Sequence, residues 1–218
     1  MIGNNVDKIG VELEGYWKHN PSGFRIHGDS SIELSSIRER RLRRDNTNPH
    51  PRGTVGEKSS PVFATLNDLK VWLFREYPHR RNFSCGFHIN ISLSNPTLLQ
   101  ECNVRYIHDA MIKAILRYGK IKRLGRAFKQ RATPSAEYSD IRYDSQDKYR
   151  AINWSKTYND TPYLEFRIFS QSMPKEKAMN AVCFLCELMN LVAELVKDVN
   201  MSREDRSKKI MLFGKNLR

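Results

Sequence analysis

The segment Tyr163-Leu164-Glu165-Phe166-Arg167-Ile168-Phe169 alternates two kinds of side chain along its whole length. A period of two does not fit an amphipathic helix and specifies a β-strand with two chemically different faces. Leu164, Phe166 and Ile168 are expected to face a core, and Tyr163, Glu165, Arg167 and Phe169 to face the other way. A carboxylate and a guanidinium two residues apart on one face suit a site that holds both a metal ion and a phosphate.

Two other segments repeat the pattern. Gly10-Val11-Glu12-Leu13-Glu14 sets Glu12 and Glu14 against Val11 and Leu13. Cys85-Gly86-Phe87-His88-Ile89-Asn90-Ile91-Ser92 sets His88, Asn90 and Ser92 against Phe87, Ile89 and Ile91. Taken singly, each is an antiparallel strand with one wet face. Together they offer a row of Glu, Glu, His, Asn, Glu and Arg where a merely solvated face would carry Lys, Thr and Gln.

The rest of the chain is read around these strands. A first strand is expected near 9–17, after a frayed lead-in. Gly23–Ile32 reads as a strand or hairpin arm, with Asp29 and Ser31 in a polar turn that is either structural or ligand-facing. Thr54–Pro61 returns as a short strand carrying Glu57. Thr65 followed by Asp68 caps a helix with Leu66, Leu69 and Leu73 on its apolar stripe, ending before Pro78. A long helix is expected over 100–119 from the spacing of Val104, Ile107, Met111, Ile115 and Tyr118, with His108 as a satisfied interior histidine. A strand starts at Tyr149–Trp154, and Ser172 and Pro174 open the last long helix. Strands with inserted helices and a closing helix predict an α+β fold with a mostly antiparallel sheet.

Composition narrows the setting. The chain has 218 residues, a length for one domain, and its formal net charge is +13. Two basic loops stand out, at 38–53 with the cluster Arg38–Arg44 and at 119–148 with Lys120–Arg131. They are solvated insertions, lids or arms for an anionic partner. Residues 1–200 read as a single catalytic domain and 201–218 as a charged C-terminal tail. Cys183 and Cys186 form a C-x-x-C, but in an apolar helical run with no second ligand pair, so buried thiols are expected rather than zinc. No signal peptide is evident and no apolar run reads as long enough to span a membrane; a soluble cytoplasmic protein with reduced thiols is expected.

Glu12, Glu14, Glu57 and Glu165 converging on one sheet face would repel strongly unless a cation sat among them. Mg²⁺ or Mn²⁺ answers that need, with His88 as a borderline ligand. Carboxylate-held metal beside an arginine is the parts list of phosphoryl transfer. No glycine-rich phosphate loop of the Walker or dinucleotide type is present.

The motifs Gly10-Val11-Glu12-Leu13-Glu14, Gly56-Glu57-x-x-Ser60-Pro61, Cys85 to Ser92, and Tyr149-Arg150-x-x-Asn153 followed by Leu164 to Phe169 occur in that order. The series resembles the amidoligase family, a compact branch of the glutamine synthetase and γ-glutamylcysteine synthetase superfamily, over roughly residues 9–195. The resemblance implies a curved, mostly antiparallel sheet forming an open half-barrel with helices on its convex face. It implies ATP-dependent joining of a carboxylate to an amine through an acyl phosphate, with an amino acid, peptide or protein as substrate. Carried over by position, Glu12, Glu14, Glu57, His88 and Glu165 would hold the metals, and Arg167 would grip the phosphoryl group in transit. Arg150 and Asn153 would lie near substrate or nucleotide, and Asn90 and Ser92 complete the nucleotide-side set. Asn90 stands where family members often carry a second histidine.

Two other functions fit parts of the pattern. The basic loops could bind nucleic acid or an acidic protein on a catalytically reduced scaffold, with affinity falling steeply in salt. A metal-dependent nuclease would use carboxylates, histidine and a basic groove as well, although the Glu-x-Arg strand and the motif order favour the ligase.

Overall fold

The computed structural model describes residues 3–20, 25–27, 54–81, 85–118, 151–158, 160–171 and 173–213. Within them the chain runs β1 (Val6–Trp17), β2 (Thr54–Ser59), α1 (Leu66–Glu76), β3 (Gly86–Leu93), α2 (Pro96–Cys102), α3 (Arg105–Tyr118), β4 (Ile152–Asn153), a short 3₁₀ turn (Ser155–Tyr158), β5 (Leu164–Ser170), α4 (Lys175–Lys197) and α5 (Arg203–Phe213). The fold is α+β. Its five strands form one open antiparallel sheet in the order β2-β1-β3-β5-β4.

Alternation decides which face of the sheet is dry. Ile9, Val11 and Leu13 of β1, Phe87, Ile89 and Ile91 of β3, and Leu164 and Phe166 of β5 are all buried in one core with the helices. At the centre of that core lies α4, whose Val182, Leu185, Met189 and Val192 are fully buried. This helix corrects one expectation. Lys175–Lys197 is long and apolar enough to cross a membrane by length and composition, yet 61% of that window is buried inside the fold, as in a core helix. Cys186 is buried and Cys183 partly so, and both thiols are free. Helix α5 packs onto the core through the fully buried Ile210, and Arg117 at the end of α3 donates to Met211 O at 2.9 Å.

Three local departures from the sequence pattern have physical causes. The single helix expected over 100–119 is two. Asn95 caps α2, with its Oδ1 accepting the Thr97 N–H and Pro96 filling the first turn. That helix then stops at Asn103, whose N–H turns back to Gln100 O at 3.0 Å, and α3 starts afresh at Arg105. Strand β1 begins at Val6 rather than near residue 9, because the ladder with β3 continues past a register shift between Val6 and Lys8 that leaves Asp7 as an extra residue.

The third departure is in β5. Phe87 pairs with Phe169 and Ile89 with Phe166, so two residues of β5, Arg167 and Ile168, stand opposite the single residue His88. This bulge resets the alternation. Phe169 therefore shares the face of Phe87 and is buried in the core, not on the polar face with Glu165.

Inside the fold, His108 is interior, as its place beside the apolar stripe implied, and its Nδ1 accepts the Trp154 indole N–H at 3.0 Å. Lys58, on the core face of β2 opposite Leu13, is fully buried with its ammonium on Glu76 at 2.5 Å and on Asn20.

Candidate functional site

Strands β1, β3 and β5 are consecutive in the sheet, so their polar faces form one surface. Glu12 stands directly opposite His88, Asn90 opposite Glu165, and Glu165 opposite Asn153 of β4. Directly opposed residues share a face and lie close enough for their side chains to meet.

Glu12 makes two contacts across to β3. Its Oε2 lies 2.9 Å from His88 Nδ1, and its Oε1 accepts from Asn90 Nδ2 at 3.0 Å. An ionised carboxylate only accepts, so the amino end of Asn90 must face Glu12. The amide oxygen is thereby turned away, and among the described residues Asn90 Oδ1 is buried with no hydrogen-bond donor.

Glu165 is held from both sides. Asn153 Nδ2 donates to its Oε2 at 2.6 Å, and Arg167 Nη1 donates to its Oε1 at 2.6 Å. Asn153 is itself oriented, because its Oδ1 accepts the Ser155 backbone N–H at 3.0 Å and the Ser155 hydroxyl at 2.6 Å. The Arg167 Nε is buried without an acceptor among the described residues. Glu14 accepts the Gly86 N–H at 2.6 Å through Oε2, and its Oε1 lies 3.7 Å from His88 Nε2. Gly86 is needed for this approach: a Cβ there would come within 2.7 Å of His88 Nε2 and 3.0 Å of Glu14 Oε1.

Ligand atoms of Glu12, His88 and Glu165 all lie within 4.8 Å of one another. Atoms bound to one ion at about 2.1 Å can be at most about 4.2 Å apart, so any pair of the three lying further apart than that would have to draw together to share an ion. Glu14, Glu12 and Glu165 bring three carboxylates against one guanidinium and one imidazole. Burial works to raise the Glu12 carboxyl, but the hydrogen bond and charge of His88, the Asn90 amide and the Arg167 guanidinium together hold it down at about 2. Burial likewise works to lower His88, but the Glu12 hydrogen bond and the charges of Glu12 and Glu14 raise it above the ordinary histidine value. A proton on His88 thus does what a metal ion would do, offsetting carboxylates that cannot lie together uncompensated.

No model of a known protein family matches this chain, and no curated protein or solved structure matches it.

The sequence-derived site is assembled in part. Glu12, His88, Glu165, Arg167, Asn90 and Asn153 meet, and Glu14 borders them. Glu57 stands opposite Glu14 in register, on the same face but one strand further out, and is not among the three whose ligand atoms converge. Ser92 lies on the polar face two residues beyond Asn90, where its hydroxyl reaches Lys8 O at 3.4 Å. It lines a cleft of about 630 Å³ that also includes Gly10, Glu12, Asn90 and Tyr163. Arg150, Asp29, Ser31 and the clusters Arg38–Arg44 and Lys120–Arg131 lie outside the described residues. Sequence reasoning missed Ser155, which acts through Asn153 from a 3₁₀ turn and has no periodic signature. It also missed the role of Gly86, although that glycine precedes His88 by two, on the same face, as a residue making room beside it would.

Proposed function

We propose that this chain is an ATP- and divalent-metal-dependent carboxylate–amine ligase of the amidoligase type, its sheet curved as an open half-barrel around the site. The observation that carries the reading is the convergence of Glu12, His88 and Glu165 from three strands beside Arg167, with two buried polar atoms, Asn90 Oδ1 and Arg167 Nε, that have no hydrogen-bond partner among the described residues. An oxygen acceptor aimed away from its carboxylate neighbour suits a cation, and a guanidinium N–H without an acceptor suits an anion.

Glu12, His88 and Glu165 would hold the metal, with Asn90 Oδ1 as the nearest further oxygen. An imidazole in the set favours Mn²⁺ over Mg²⁺. When bound, the ion supplies charge neutralisation for nucleotide phosphates. The other roles belong to the chain. Arg167, tied to Glu165 by one nitrogen, keeps Nε for an anionic oxygen of the nucleotide. Asn153 and Ser155 fix the Glu165 carboxylate in one orientation. Gly86 keeps His88 and Glu14 in reach of each other. A substrate carboxylate activated by phosphoryl transfer from ATP would then be attacked by an amine.

The deciding experiment measures ADP formation with Mn²⁺ and ATP in the presence of mixed amino acids and peptides, for the native protein and for Glu165→Gln. Turnover in the native protein and at least a hundredfold loss in a folded variant is the expected result. Equal turnover in both overturns the assignment. Metal-dependent cleavage of nucleic acid without ATP would move the same residues to nuclease chemistry. The +13 charge favours a second reading, a polyanion-binding scaffold. Nucleic-acid affinity that falls steeply with salt, without ADP formation, would support it.

A further inference from the structure

Strand β1 ends against the segment that follows α1, and the contact gathers basic side chains that the ligase site does not use. The Tyr16 N–H donates to Arg80 O at 2.9 Å, and the N–H groups of His79 and Arg80 both return to Tyr16 O, at 2.8 and 3.3 Å. Gly15 admits this approach, since a Cβ there would come within 2.6 Å of Pro78 Cβ and 2.9 Å of Arg80 O. The pairing sets Lys18 and His19 beside His79. The Lys18 N–H donates to His79 Nδ1 at 3.3 Å, and the His19 and His79 rings stand edge to face with their centroids 5.9 Å apart.

Lys18, His19, His79, Arg80 and Arg81 are all exposed. None of the five forms an ion pair among the described residues. Partial burial and then the charges of His19 and Lys18 hold His79 below the ordinary histidine value, as happens where cations crowd without a carboxylate. Both arginines lie over rings, Arg80 Cζ 5.9 Å from the centroid of Tyr16 and Arg81 Cζ 5.0 Å from that of Tyr77. Arg81 also donates to the Met173 and Pro78 carbonyls, so it is a fixed charge at the flank. Arg80 has its ring contact alone, which orients a guanidinium while leaving its N–H groups for an anion.

Cations that repel one another and meet no carboxylate call for an anionic partner. The flat groups among them say which. Two imidazole rings and the Arg80 guanidinium lie together at the surface, and such planes stack on nucleobases, whereas an acidic peptide has nothing to set against them. Glu14 and Glu57 face each other across β1 and β2, next inward from Tyr16. They would turn a polyanion away from the carboxylate site and keep it at the end of the sheet. We infer that the end of β1 and the segment His79–Arg81 form a docking surface for single-stranded nucleic acid, with Lys18 and Arg80 on phosphates and the rings of His19 and His79 under bases. The choice of partner rests on the polyanion-binding reading and is independent of the ligase reading.

The test titrates the full chain into a fluorescein-labelled single-stranded RNA of about 12 nucleotides, by fluorescence anisotropy, between about 50 and 200 mM salt and near pH 8, where ordinary imidazoles are neutral. Lys18→Gln/Arg80→Gln removes two phosphate contacts. Affinity should fall at least tenfold, and the slope of log affinity against log salt should become shallower by about 1.4. His19→Ala/His79→Ala should weaken binding about tenfold with the slope unchanged, because stacking releases no counterions. All four side chains are exposed, and circular dichroism checks that each variant keeps the native spectrum. Undiminished RNA affinity in either folded variant overturns the docking surface and leaves the polyanion reading standing. Failure of the native protein to bind the RNA at about 50 mM salt overturns both. Binding of poly-glutamate as tight as that of RNA would replace nucleic acid by an acidic protein, and displacement of the RNA by an equal concentration of free AMP would replace it by a small phosphate ester; either overturns the inference.

Discussion

Replacing Lys58 by methionine puts the best-defined buried charge in this fold to the test. The Lys58 and Glu76 side chains are both 0% exposed, and their charged atoms lie 2.5 Å apart. Arg75 also reaches Glu76, at 2.8 Å, from a half-exposed position. The pair ties edge strand β2 to the end of α1, and with it the neighbouring Glu57 and Ser59. Removing one partner of a buried pair leaves the other charge uncompensated, at about 3–5 kcal/mol. Arg75 stays beside the orphaned carboxylate, which sets the expected loss near the lower figure, about 3 kcal/mol. With a urea slope of roughly 2–3 kcal/mol per molar, the unfolding midpoint should fall by about 1–1.5 M. Lys58→Met/Glu76→Leu removes both charges and keeps the volume, and should return to within about 1 kcal/mol of the native protein. Urea titrations followed by circular dichroism on the two single variants and the double give the comparison. A Lys58→Met loss below about 1 kcal/mol, or a double variant no more stable than the worse single, would refute the reasoning.

Three further outcomes follow from the site. Mn²⁺ at a hundred times its dissociation constant should add about 2.7 kcal/mol and raise the melting temperature by about 5–10 °C, with Mg²⁺ needing higher concentrations for the same shift; calorimetry with each metal measures it. Asn153→Ala removes a hydrogen bond to the buried Glu165 and should lower Mn²⁺ affinity about 10–100-fold, whereas Ser155→Ala keeps the backbone N–H on Asn153 and should cost less than tenfold in the same binding assay. In the metal-free protein the Glu12 carboxyl, held down at about 2 against an ordinary value of 4.5, contributes stability that is present above that ordinary value and lost as the pH falls towards 2. Glu12→Gln should therefore destabilise by about 3 kcal/mol near pH 6 and by almost nothing near pH 2, in denaturant titrations with chelator present.

Much of the site was legible because strands alternate. Glu12 with Glu14, and His88 with Asn90, could be placed on one face from spacing alone, and the structure puts them there. The partnership of Glu165 with Asn153 was harder to see, since it depends on β4, only two residues long. Phe169 was misplaced because a bulge is a property of two strands together. Nothing in the spacing of Arg167, Ile168 and Phe169 reveals that His88 alone will face two of them. The break at Asn103 is of a different kind. The apolar spacing continues across it, and only the cap at Asn95 and the turn-forming tendency of Asn103 signal two helices. Glu57 matched its motif yet stands a strand away, because a motif fixes order along the chain and not distance across a sheet.

The strand order also has a consequence for biosynthesis. Glu12 and His88 leave the ribosome long before Glu165, and β5 must slot in beside β3 before the third carboxylate arrives. Until then a nascent chain carries Glu12 and His88 but neither Glu165 nor Arg167. On the proposed ligase reading, capture of a metal ion would wait for the closing moments of folding, and a chain cut short before β5 would lack the Glu165 carboxylate.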